Sequence, residues 1–90
     1  MISVIIAAYN CERYLEQAVR SIQTQTYQDL EVVIVDDGST DNTKQLAERL
    51  SAQDCRIRVI SQDNSGGPAQ PRNLGISRST GEYICFLDPD

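Results

Sequence analysis

The chain has 90 residues, 40% of them hydrophobic, and its 13 acidic and 8 basic residues give a net charge of −5. This length fits one domain or part of one, and the apolar share excludes a disordered chain. No cluster of Lys and Arg occurs, so nucleic acid is not an expected partner. The odd number of cysteines, three, and the lack of His argue against a zinc site and favour a reducing compartment. The first apolar run, residues 4–8, is too short for a membrane span or the core of a signal peptide.

Four short apolar runs predict β-strands. Residues 3–8 and 31–35 are almost continuously apolar, as parallel strands covered on both faces usually are. Residues 56–60 alternate between polar and apolar, which predicts an edge strand with one wet face. Residues 82–87 form the fourth strand, and their run Ile-Cys-Phe-Leu predicts that it is buried, with Cys85 acting as a small hydrophobe.

Apolar residues at helical spacing predict three helices between these strands. The first stripe contains Tyr14, Leu15, Ala18, Val19 and Ile22. The second contains Leu46, Ala47 and Leu50, preceded by the candidate N-caps Ser39, Thr40 and Asp41. The third has Pro71 in its first turn, runs through Leu74 and Ile76, and ends near Gly81.

The resulting order, β-α-β-α-β-α-β, predicts an α/β fold with a mostly parallel sheet and right-handed crossovers. Ligands of such sheets bind outside the carboxyl ends of the strands. The segments at that rim are residues 9–10, 36–39, 62–67 and 88–90, and they are rich in polar and acidic residues. The sequence therefore predicts a ligand site at this rim.

Asp88 and Asp90 flank Pro89 at the end of the fourth strand. Side chains two apart on an extended chain point the same way, and the proline biases Asp88 towards extended geometry. The two carboxylates can therefore converge on one cation, and so few oxygen ligands suit Mg²⁺ or Mn²⁺. A solvated turn also explains Asp-Pro-Asp, and on spacing alone it is favoured by roughly 2:1.

Asp36 and Asp37 end the second strand and face opposite sides, so only one of them can enter a shared pocket. An acid there is well placed to accept hydrogen bonds from a nucleoside. Helix capping by residues 36–43 is the alternative. Capping explains residues 39–41 better than it explains the two acids that precede Gly38.

Three further features of the rim each have two explanations. Arg72, at the start of the third helix, favours a phosphate or another anion, but an exposed first-turn arginine is an equally good explanation. The loop of residues 65–68, Ser-Gly-Gly-Pro, can let backbone approach a ligand or can simply form a turn. Tyr9 can stack on a base or cover the core.

Several motifs, in this order, resemble those of the family 2 glycosyltransferases. They are residues 4–10 (VIIAAYN), 33–41 (VIVDDGSTD), 72–76 (RNLGI), 81–84 (GEYI) and 86–90 (FLDPD). The resemblance covers essentially the whole chain. It implies a glycosyltransferase A-type fold, with a Rossmann-like parallel sheet and flanking helices, whose N-terminal half binds a nucleotide-sugar, commonly a UDP-sugar.

The resemblance also implies roles for individual residues. The implied nucleotide-sugar-binding residues are Ala7, Tyr9, Asp36, Asp37, Arg72 and Asp88, and the implied metal ligands are Asp90 and Asp88 of the DxD motif. Tyr9 would lie against the base, Asp37 would hydrogen-bond uracil, and Asp90 would be the direct ligand of Mn²⁺ or Mg²⁺. The reaction would be an inverting displacement in which a downstream carboxylate acts as base and the metal stabilises the departing diphosphate.

The chain departs from the family pattern at two places. Ala7 stands where the family usually has Pro or a small hydroxyl residue, and Gln70-Pro71 replaces the usual small residues before Arg72. We expect residues 1–90 to be the N-terminal nucleotide-sugar-binding part of a larger domain, cut at the DxD motif, which binds donor weakly and transfers no sugar. The cut sheet would expose an edge or an apolar patch open to dimerisation or aggregation.

For the whole protein, the resemblance implies work in the cytoplasm or at the inner membrane face, in cell-envelope or polysaccharide synthesis, with the sugar and acceptor left open. Two alternatives remain: a haloacid-dehalogenase-type phosphatase with Asp88 as nucleophile, and a non-catalytic nucleotide-binding module. A dinucleotide-dependent dehydrogenase is excluded, because residues 8–12 contain no glycine for a GxGxxG turn.

Overall fold

A computed structural model of the chain describes residues 1–67 and 69–87. Its elements, in chain order, are β1 (Ile2–Ala8), α1 (Leu15–Gln23), β2 (Leu30–Asp37), α2 (Thr43–Gln53), β3 (Ile57–Gln62), α3 (Ala69–Arg78) and β4 (Tyr83–Phe86). All three strand pairings are parallel, so the predicted α/β order and parallel sheet are confirmed.

The sheet has the strand order β3-β2-β1-β4. β1 runs beside β2 from Ile2 opposite Leu30 to Ala8 opposite Asp36, so both strands end at the same rim. Every residue of β2 is buried, as its continuous apolar run predicts. β3 lies at one edge of the sheet, and the prediction of an edge strand from its alternating pattern is confirmed.

The two faces of the sheet carry separate apolar clusters, because successive strand residues point to opposite sides. Val4, Ile6 and Ile34 pack with the apolar stripes of α1 and α2 in the larger cluster. Ile5 and Val35 belong to a smaller cluster, against which α3 packs Leu74. The helices therefore flank the sheet on both sides, two on one face and one on the other.

The fourth strand differs from its prediction. All four residues of β4 are exposed, including Cys85, whereas the apolar run predicts a buried strand. The reason is that β4 is the other edge of the sheet, and α3 packs on β1 and β2 instead of covering it. Tyr83 is 69% exposed and Phe86 50% exposed, so the expected uncovered edge with an apolar patch is confirmed.

Two helix ends also differ from the prediction. Asn42, and not one of residues 39–41, holds the N-cap position of α2, although the Asp41 carboxylate accepts from the Thr43 N–H at 2.9 Å. α3 ends at Arg78, three residues before Gly81. It stops early because the N–H of Thr80 donates to Glu31 and that of Gly81 donates to Ser3, both on neighbouring strands.

Within the described residues, no helix has the length and apolar character needed to cross a membrane.

Candidate functional site

A cavity of about 260 Å³ lies at the carboxyl ends of β1 and β2, where the topology predicts a ligand site. It is lined by Ala7, Tyr9, Asp37, Asn64, Gly66, Gly67 and Pro71. The walls thus come from the ends of two central strands, the loop after β3 and the first turn of α3. A space of this size lies just below the usual range of small-molecule pockets, which begins at about 300 Å³.

Strand alternation selects which rim residues reach this cavity. Ala7 and Asp37 are odd-numbered residues, like Ile5 and Val35 of the cluster on the α3 side, and both line the cavity together with Tyr9. Asp36 is not among the lining residues, which agrees with the prediction that only one of the two acids enters a shared pocket. Tyr9 is 49% exposed, so its ring has a face available to a ligand.

The Asp37 carboxylate is buried and held by the loop that follows β3. Its Oδ1 accepts from Gln62 Nε2 at 2.8 Å and from the Ser65 N–H at 3.0 Å. Its Oδ2 accepts from the Ser65 hydroxyl at 3.0 Å. A carboxylate held by three donors keeps one orientation, which suits a group that recognises a ligand.

Close contact between two loops completes this wall. Gly38 has a φ of +72°, which favours glycine, and a Cβ there would overlap the backbone N of Asn64. Asn64 donates through Nδ2 to the Asp37 carbonyl at 2.9 Å, and its Oδ1 accepts from the Gly66 N–H at 3.0 Å. Gly38 therefore lets the loop after β3 lie directly on the end of β2.

Asp36 is only 3% exposed, and its Oδ1 has no hydrogen-bond partner among the described residues. It is an even-numbered residue of β2, like Val32 and Ile34, whose side chains pack towards α1 and α2. The Asp36 side chain is therefore separated from the cavity. Ala7 and Asp37, the two other strand residues for which the resemblance implies donor binding, line it.

On the α1 side of the rim, a second set of bonds joins the loops after β1 and β2. The Cys11 N–H donates to Thr43 Oγ1 at 2.9 Å. Burial raises the pKa of the Cys11 thiol to about 11. Desolvation opposes ionisation of Asp41, but hydrogen bonds from the Thr43 hydroxyl and N–H outweigh it, so the pKa of Asp41 lies below its usual value.

Arg72 lies beside the cavity and not in it. It is the fourth residue of α3 and lines a neighbouring hollow of about 370 Å³ that shares Gly66 and Gly67 with the cavity. Its guanidinium lies 5.6 Å from the centre of the Phe86 ring, the last residue of β4. This contact holds the only cation of the first turn of α3 next to the strand that leads into the DxD motif.

Asp88 and Asp90, the implied metal ligands, lie outside the described residues. The strand that precedes them, β4, pairs with β1. Just after β4, the Leu87 N–H donates to the Ile5 carbonyl at 3.0 Å. Across residues 1–67 and 69–87, no group of three or more His, Cys, Asp or Glu side chains is arranged to hold a metal ion.

Sequence reasoning placed residues 62–67 at the rim without assigning them a role. Gln62 and Ser65 are the donors that hold Asp37, and Asn64 and Pro71 line the cavity. Only their position in the sequence could have pointed to these residues. They follow β3, and the carboxyl ends of parallel strands all lie at the same rim of the sheet.

Comparison with known proteins gives consistent matches. The sequence model of the protein family described as Glycosyl transferase family 2 matches residues 3–90. GlyG of Streptococcus pneumoniae serotype 4 is 48% identical over 90 residues, which are 100% of this chain and 30% of that protein. TarS 1–349 of S. aureus, solved in complex with UDP-GlcNAc, has a TM-score of 0.91 and 38% identity, covering 99% of this chain and 26% of that solved chain.

A third match carries a different nucleotide. The mannosyltransferase PcManGT from Pyrobaculum calidifontis, solved in complex with GDP-Man and Mn²⁺, has a TM-score of 0.91 and 29% identity. The match covers 99% of this chain and 27% of PcManGT. The chain therefore spans 30% or less of the length of these three relatives.

Proposed function

The chain belongs to glycosyl transferase family 2, and we propose that it is the donor-binding region of an enzyme that transfers a sugar, with inversion, from a nucleotide-diphosphate sugar to an acceptor hydroxyl. The observation that carries the proposal is the cavity in which Tyr9 and the Asp37 carboxylate meet. A uracil base needs a surface to lie against and an acceptor for its N3–H, and these two side chains offer both. The similar TarS binds UDP-GlcNAc, which supports a UDP-sugar as the donor.

In this proposal the diphosphate lies towards the hollow lined by Arg72. Three features there favour an anion: the guanidinium, the first turn of α3, and the exposed backbone of Gly66 and Gly67. Asp90, with Asp88, would hold Mn²⁺ or Mg²⁺, since carboxylate oxygens suit these hard cations. Such an ion supplies positive charge to the leaving diphosphate, and the Mn²⁺ of PcManGT supports this assignment.

Residues 1–87 contain no side chain to which we assign the role of catalytic base, and the proposal gives this chain donor binding without transfer. Nucleotide-sugar chemistry also favours a cytoplasmic site of action, at the inner membrane face if the acceptor is a lipid. The phosphatase alternative, with Asp88 as nucleophile, has lost its support because the family 2 model extends through the DxD motif.

The proposal is tested by calorimetric titration of the chain with UDP, with and without Mn²⁺. We expect UDP binding that requires the metal and that Asp90→Ala abolishes. Asp63→Ala, which removes an exposed acid from the loop after β3, is the matched control and should bind as the wild type does. Metal-independent binding that survives Asp90→Ala would remove the proposed site.

A second substitution tests the base-binding role separately. Asp37→Ala should weaken uridine nucleotides and leave the affinity for Mn²⁺ unchanged, because the proposal gives this cavity-lining carboxylate to the base and gives the metal to Asp88 and Asp90. An equal loss for every nucleotide base would contradict the role assigned to Asp37.

A further inference from the structure

The matched structures include both a UDP-sugar complex and a GDP-sugar complex, so fold alone does not choose the base. The two bases differ in their donors. Uracil offers a single imide N–H, whereas guanine offers an N–H and an adjacent amino group that pair with both oxygens of one carboxylate. The number of free acceptor positions on Asp37 therefore bears directly on base choice.

Those positions can be counted from the hydrogen bonds of Asp37. Each carboxylate oxygen has two acceptor positions. On Oδ1 both are filled, by Gln62 Nε2 at 2.8 Å and the Ser65 N–H at 3.0 Å. On Oδ2 one is filled, by the Ser65 hydroxyl at 3.0 Å. Counting the described donors, one acceptor position remains, and it belongs to Oδ2.

The donor on Oδ1 is itself held in place. Gln62 Nε2 also donates to the side-chain oxygen of Gln70, so both protons of the Gln62 amide are engaged. Gln70 is one of the residues at which this chain departs from the family pattern, and it lies in the first turn of α3. Two hydrogen bonds therefore connect Gln70 through Gln62 to the Asp37 carboxylate, to which the proposed function assigns recognition of the base.

We propose that Gln62, oriented by Gln70, is a specificity-determining residue that makes the donor site select uracil over guanine. It fills the last acceptor position on Asp37 Oδ1, so a guanine amino group arriving there finds no partner. The remaining position on Oδ2 accepts the single N3–H of uracil. This inference rests on the proposed function and adds the base that the site accepts.

The test is calorimetric titration of the chain with UDP and with GDP in the presence of Mn²⁺. The wild type should bind UDP about tenfold or more tightly than GDP, because an unpaired buried donor is costly. Gln62→Ala frees Oδ1 and leaves room beside it, so the UDP-to-GDP affinity ratio should fall about fivefold or more. A general loss of stability would weaken both nucleotides and leave this ratio unchanged.

A matched control and a second variant sharpen the result. Gln17→Ala removes an exposed glutamine from α1, away from the cavity, and should preserve the ratio. Gln70→Ala, at an exposed position, should lower the UDP-to-GDP affinity ratio, but by less than Gln62→Ala does. This variant keeps the test available if Gln62→Ala does not fold.

Two results would overturn the inference while leaving the proposed function in place: equal wild-type affinity for UDP and GDP, or an unchanged ratio in Gln62→Ala and Gln70→Ala. A wild-type chain that binds neither nucleotide would overturn both.

Discussion

The backbone N–H of Asn10 donates to the hydroxyl of Ser39 at 3.0 Å, and Asn10 Oδ1 accepts from the Thr40 N–H at 2.8 Å. These bonds join the loop after β1 to the loop after β2, next to Tyr9. Asn10 makes them from a left-handed backbone with a φ of 49°, a region that asparagine tolerates better than most residues. The end of the cavity that Tyr9 lines is thus braced by one residue in an uncommon conformation.

Substitution of Asn10 should separate its two roles. Asn10→Gly removes the side-chain hydrogen bonds, but glycine adopts the left-handed conformation without strain. Asn10→Ala removes the same bonds and also strains the backbone. We expect Asn10→Ala to be the less stable by about 1 kcal/mol in urea unfolding. At Asn73, inside α3, the order should reverse, because glycine is the poorer helix former. The same order at both positions would contradict this account of Asn10.

α3 packs tightly against the sheet at Gly75. A Cβ at Gly75 would come within 2.5 Å of Ile5 Cγ2 and 3.4 Å of Val35 Cγ2. Gly75→Ala should therefore destabilise the chain by about 1–3 kcal/mol through overpacking, measured as a lower midpoint of thermal or urea unfolding. Gly67→Ala is the matched control, since a Cβ there would have open space around it, and it should unfold close to the wild type.

Glu31 joins the turn after α3 to the central strands and should make stability depend on pH. Burial alone would raise its pKa, but hydrogen bonds from Thr80 and Ser3, aided by the charge of Arg58, lower the pKa below its usual value. A carboxyl with a lowered folded-state pKa stabilises the fold above its unfolded pKa of about 4.3, and this contribution is lost as the pH falls through the folded value.

Glu31→Gln should therefore cost about 1–3 kcal/mol at pH 7, because it weakens charge-assisted bonds, and less near pH 3. The measurement is urea unfolding of wild type and variant at both values of pH. Glu48→Gln, at an exposed position of α2, should give a small cost that varies little with pH. A cost for Glu31→Gln that is equal at both values would show that ionisation of Glu31 does not matter.

The three thiols should react unequally with a thiol reagent at pH 8. Cys55 and Cys85 are exposed, whereas Cys11 is buried and desolvation raises its pKa to about 11. Two thiols should react quickly in the folded chain and the third only when denaturant is added. The variant Cys11→Ala should keep both fast thiols and lose the slow one. Fast reaction of all three in the folded chain would mean that Cys11 is accessible.

Local patterns predicted the parallel sheet, the edge position of β3 and the rim where Tyr9 and Asp37 meet, because each depends on periodicity or on strand ends. They failed where tertiary packing decides. The apolar run 84–87 looks buried, yet Ile84 and Phe86 are exposed, since no sequence period tells whether a helix covers a strand. The hold of Gln62 and Ser65 on Asp37 spans 25 and 28 residues, beyond the reach of any local pattern.

The strand order β3-β2-β1-β4 has a consequence for synthesis of the chain. Among the described strands β1 is made first, but its neighbour β4 is residues 83–86, so one edge of β1 stays open until the other strands and helices have been made. β1, β2 and β3 can pair earlier, and with them the walls around Asp37. Three of the four strands can thus associate before β4 is added, and the edge of β1 that β4 covers is the last part of the sheet to be paired.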